Sequence, residues 1–60
     1  MYNNAYQEGY NNGYFDGKNN LPKNPKKNMP KKVFISKNAM ESYIEGYNEG
    51  YRKGMYDRSR

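Results

Sequence analysis

Two copies of one tyrosine–glycine pattern, offset by 37 residues, limit what this chain can fold into more than any other feature. Ala5-Tyr6-Gln7-Glu8-Gly9-Tyr10-Asn11-Asn12-Gly13-Tyr14-Phe15-Asp16-Gly17 lies over Ser42-Tyr43-Ile44-Glu45-Gly46-Tyr47-Asn48-Glu49-Gly50-Tyr51-Arg52-Lys53-Gly54. All six glycines of the protein and six of its eight tyrosines fall in these two series, so the chain reads as an internal repeat.

The spacing of four selects the geometry. Residues four apart on an α-helix advance only about 40° around the axis, so Tyr6, Tyr10 and Tyr14 form one ridge and Gly9, Gly13 and Gly17 a groove beside it. Tyr43, Tyr47 and Tyr51 with Gly46, Gly50 and Gly54 repeat the arrangement. A strand would place the tyrosines and the polar residues between them on one face, which gives no apolar side. Each helical glycine costs roughly 1 kcal/mol relative to Ala. Three per helix therefore imply a packing reason: a glycine zipper in which one helix approaches the other closely.

Asn4 followed by Gln7 and Asn38 followed by Glu41 both match a helix-start signal, which predicts helices over about 5–18 and 39–57. Pro22, Pro25 and Pro30 forbid helix continuity between them, so residues 19–35 form a Lys/Pro/Asn connector, extended over 19–32. Lys32-Val33-Phe34-Ile35-Ser36 reads as either a short extended segment or an apolar staple on the second helix. The expected fold is all-α, a single small domain over 1–60: a two-helix hairpin with Tyr/Gly period-four packing faces.

Sixty residues bury only a modest fraction of their surface, and such chains are reinforced by disulfides, metals or oligomerisation. Neither Cys nor His is present, which excludes disulfides and thiolate or imidazole metal sites and leaves a homodimer, or folding onto a partner, as the expected support. Leu, Ile, Val and Phe total six residues, so the core must be built largely from tyrosine rings. The longest apolar run, Val33-Phe34-Ile35, is far short of the ~20 residues of a membrane span, and nothing reads as a signal peptide. The expected location is the cytoplasm.

The net charge of +5 is unevenly distributed. Residues 1–17 carry −2, residues 18–37 carry seven lysines and no acid, and residues 38–60 balance four acids against four bases. Lys23, Lys26, Lys27, Lys31 and Lys32 are thus the candidate phosphate contacts for RNA or DNA, weighed against a solvated linker. An extended arm of this kind positions a nucleic acid rather than reading its bases. The Tyr ridges can stack on bases, but core is the expected role in a chain with so few aliphatics. Glu8, Glu45, Asp16 and Asp57 do not make an acid–base pair: Glu8 and Glu45 hold equivalent repeat positions, and no nucleophile–base set, phosphate loop or metal cluster accompanies them. No enzyme activity and no cofactor are expected.

Gly9-Tyr10-x-x-Gly13, a basic polar turn with Asn24-Pro25, and Tyr43-Ile44-Glu45-Gly46-Tyr47 resemble the ribosome modulation factor family. These are short two-helix proteins with a Gly-Tyr-x-x-Gly first helix, a Pro-containing turn and an aromatic-x-x-Gly-aromatic second helix. The resemblance covers most of residues 5–51 and implies a basic protein that binds the ribosome. The sequence reading is therefore a ribosome- or RNA-associated binding protein. The alternative is a protein-binding inhibitor or adaptor, of the kind phages direct against host or defence proteins, acting through its helix faces.

Overall fold

A computed structural model describes residues 3–60 and contains three helices: α1 (Asn3–Lys18), α2 (Lys31–Phe34) and α3 (Lys37–Ser59). Among the described residues there is no strand, and no helix is long and apolar enough to cross a membrane. The two long helices pack face to face as an all-α helical hairpin. Its two legs run in the same direction, because Gly9 meets Tyr43 and Gly17 meets Tyr51, in ascending order along both helices. The connector therefore has to climb back along α1, about 24 Å at 1.5 Å per residue. The molecule measures 35 × 19 × 11 Å, too thin for a central aliphatic core.

Glycine explains the close approach. Gly9, Gly13 and Gly17 face the carbonyl oxygens of Tyr43, Tyr47 and Tyr51, and Gly46, Gly50 and Gly54 face those of Tyr6, Tyr10 and Tyr14. A Cβ at any of the six would sit under 3.0 Å from backbone of the other helix. None of the glycines has positive φ, so space rather than backbone freedom selects them. The Hα in the Cβ position points at the facing carbonyl, a Cα–H···O contact worth about 0.5–1 kcal/mol. That roughly balances the helix propensity each glycine forgoes. The close approach expected of a glycine zipper is thus made with tyrosine backbone in the glycine groove and the rings to either side, rather than with the rings in the groove.

The helix starts differ from the sequence reading. Asn4 lies inside α1 and Asn38 inside α3, so neither is a cap. Ser36 caps α3, its Oγ accepting from the Ala39 N–H at 3.4 Å. α1 ends in a Schellman arrangement: Asn20 takes φ 59°, and the Asn20 and Leu21 N–H groups donate to Gly17 and Asp16 carbonyls.

The connector is also more structured than an extended arm. Residues 25–28 form a turn, and Lys31–Phe34 form the single helical turn α2, opened by Pro30 at φ −62°. This replaces the extended alternative for 32–36. α2 buries Val33 against Ala5, Ala39 and Tyr43, with Met29 and Met40 packed around them, and leaves Ile35 exposed.

Candidate functional site

The connector runs back along the tyrosine ridge of α3, and hydroxyl groups hold it there. The Tyr51 hydroxyl donates to the Leu21 carbonyl at the lower end, and the Tyr47 hydroxyl accepts the Asn24 N–H at 3.0 Å one turn higher. Val33 reaches Tyr43 at the top. Beneath this strap Tyr43 and Tyr47 are fully buried, with their hydroxyls partnered by α1: Asn12 Nδ2 donates to Tyr43 at 2.6 Å, and Tyr47 donates to Asp16 Oδ2 at 2.5 Å. Burial, and then the Asp16 hydrogen bond, push the Tyr47 phenol up to about 12.

The tyrosines of α1 meet a different environment. Tyr6 remains 36% exposed and Tyr10 and Tyr14 are half-buried, the Tyr6 and Tyr10 rings stacking at 6.4 Å. The expected tyrosine core is therefore built from Tyr43 and Tyr47, whereas the α1 ridge borders solvent. The Tyr14 hydroxyl donates to Asp57 Oδ2 at 2.5 Å, tying the lower ends of α1 and α3 together. That bond raises the Tyr14 phenol above its ordinary value and, with Lys53 adding to it, holds the Asp57 carboxyl below the usual carboxylate range.

Lys23, Lys26, Lys27, Lys31 and Lys32 are all exposed on the strapped connector. Lys23 rests over the Tyr51 ring, Nζ 6.0 Å from its centroid, and the Lys18 Nζ lies 5.8 Å from the Tyr14 centroid. Lys26 and Lys27 sit in the turn and Lys31 and Lys32 open α2. The ion pairs among the described residues, Glu49–Arg52 and Lys53–Asp57, are both within α3, so none neutralises this group. Comparison with protein-family models, with curated proteins and with solved structures returned no match.

The arrangement offers five cations at positions set by a fixed backbone, on a stretch without a carboxylate. It can neutralise an extended polyanion. Asp16 and Asp57 serve different tyrosines, and among the described residues no group of three or more His, Cys, Asp or Glu side chains could hold a metal ion. Sequence reasoning missed Asn20 and Leu21, and read Asn24 only as part of a turn; these residues shape the backbone that carries the lysines. Asn19-Asn20-Leu21-Pro22 did carry a readable signal, an Asn able to end a helix in the left-handed conformation shortly before proline.

Proposed function

We propose that this protein is a non-catalytic binding protein that attaches to RNA phosphates, in the manner of the ribosome modulation factor family, through Lys23, Lys26, Lys27, Lys31 and Lys32. The observation that carries this reading is the strapped connector. Leu21 and Asn24 are fixed to Tyr51 and Tyr47, so the lysines that follow are presented without the full ordering cost of a loose arm. The contacts belong to the connector, since residues 1–17 are net acidic. Recognition is by charge and spacing and carries no base specificity.

Replacing Lys26, Lys27, Lys31 and Lys32 together with Gln tests it. Binding to single-stranded RNA should weaken across sequences, and the slope of log affinity against log salt should flatten by roughly 0.7 for each phosphate that is no longer neutralised. A quadruple variant that binds as tightly as the parent at every salt concentration would refute the reading. Helicity should be unchanged, because all four side chains are exposed.

One observation favours the second reading, a protein-binding inhibitor or adaptor. Phe34 and Ile35 beside the start of α3, and Phe15 and Tyr56 near the other end of the helix pair, are each more than half exposed and offer apolar contacts to another protein. A homodimer would need a surface other than the glycine faces, because these are packed within one chain.

A further inference from the structure

The repeat gives the helix pair two related sides, and the connector covers only one. The six glycine–carbonyl contacts are reciprocal across the offset of 37, so each helix treats the other in the same way. On the covered side, Leu21–Asn24 lies along Tyr51 and Tyr47. On the other side, Tyr10, the repeat equivalent of Tyr47, belongs to a groove of about 340 Å³ formed with Glu49, Arg52, Lys53 and Tyr56 of α3. Glu49 and Lys53 are in turn the repeat equivalents of Asn12 and Asp16, the α1 residues that meet the buried tyrosines.

We propose that this second groove docks an extended, carboxylate-bearing peptide segment of a partner protein. The covered side shows what such a groove accepts. Leu21 and Asn24 both precede proline, which disfavours helical backbone there and keeps the segment extended. Its main chain meets tyrosine hydroxyls through one carbonyl and one N–H.

The change of Asp16 to Lys53 between the two sides reverses the polarity required of the occupant. Beside Tyr47 the fixed group is a carboxylate, which accepts the hydrogen bond of the phenol O–H and leaves the phenol oxygen to accept a peptide N–H. Beside Tyr10 the equivalent group is an ammonium, a donor only. The Tyr10 hydroxyl, which has no protein partner among the described residues, can then donate its proton to a ligand acceptor. Arg52 and Lys53 add two cations. Arg52 pairs with Glu49 at 3.5 Å on the exposed surface, weakly enough to exchange for a ligand carboxylate. Lys53 pairs at 3.6 Å with the part-buried Asp57, which Tyr14 also holds, so Lys53 can turn to a ligand without leaving Asp57 unpartnered.

The probes are synthetic peptides covering residues 20–26, one in the native sequence and one carrying Lys23→Glu and Lys26→Glu. Each is titrated into the isotope-labelled full chain. The acidic peptide should bind more tightly than the native one and shift the amide resonances of Tyr10, Glu49, Lys53 and Tyr56. Arg52→Gln and Lys53→Gln should each weaken it roughly two- to fivefold, as expected for an exposed ion pair, with helicity unchanged. The quadruple connector variant should bind it as well as the parent, which separates this site from the phosphate-binding reading. Shifts confined to the connector lysines would overturn the proposal, as would affinity indifferent to Arg52 and Lys53. A single-stranded RNA that shifts the Tyr10 groove when the acidic peptide does not would assign the groove to nucleic acid instead.

Discussion

The Tyr47 hydroxyl donates to the Asp16 carboxylate at 2.5 Å, and both residues are buried, at 1% and 2% exposure. The same oxygen accepts the Asn24 N–H, so one group joins α1, the connector and α3. Tyr47→Phe removes both bonds and leaves a buried carboxylate short of a donor, a loss of about 1–3 kcal/mol. Tyr10→Phe, at the equivalent position of the first repeat, should change stability by less than about 0.5 kcal/mol. Chemical denaturation of the two variants measures the asymmetry directly. Equal losses would contradict it.

Glycine at the helix contact is expected to be irreplaceable even by alanine. Gly13→Ala and Gly50→Ala each gain roughly 1 kcal/mol of helix propensity. The new methyl meets the Tyr47 or Tyr10 main chain, which cannot rotate away as a side chain can. Separating the helices should cost more than the gain, a net loss of about 1–3 kcal/mol. Thermal melts in which either variant is more stable than the parent would rule out the close approach of the helices.

The start of α3 distinguishes two neighbouring candidates. Ser36→Ala should cost about 1 kcal/mol, since it removes the acceptor for the Ala39 N–H. Asn38→Ala, on an exposed site inside the helix, should be neutral or slightly stabilising. Denaturation midpoints in the reverse order would return the cap to Asn38.

Stability should fall at both ends of the pH scale for separate reasons. Tyr47 ionises at about 12 in the folded protein against an ordinary value of 10.0, so its contribution is complete below pH 10 and disappears as pH rises through 12. Tyr47 and Tyr14 should therefore both titrate later than an ordinary tyrosine in near-ultraviolet absorbance, and Tyr47→Phe should remove the component near pH 12 while leaving that of Tyr14. Asp57 is shifted the other way, below 3.8, by Tyr14 and Lys53. Its contribution is present above pH 3.8 and is lost as the pH drops through the folded value. Asp57→Asn should flatten the acid limb of the stability profile.

Much of this was readable from the residues. A period of four in both tyrosine and glycine admits a helix and no strand, and six helical glycines on matched faces admit close helix contact. Pro22, Pro25 and Pro30 separate the two helices. The caps were less legible, because Asn4 and Asn38 carry a fuller local signal, with Gln7 and Glu41 three residues on, than Ser36, which has Ala39 there. A cap depends on where the incoming chain turns, and Val33, buried beneath α2, sets that turn before Ser36.

What the sequence determined by itself is the pair of equivalent helices and the faces they offer one another. The tertiary structure decided their common direction and broke their equivalence. Tyr6 and Tyr43 stand in the same place in the repeat, as do Tyr10 and Tyr47, yet Tyr43 and Tyr47 are buried while Tyr6 is 36% exposed and Tyr10 half-buried. No local property of the repeat separates them. A single covalent connector returning between parallel helices can lie along only one side of the pair, and the tyrosines on that side become the core while the others keep a face toward solvent.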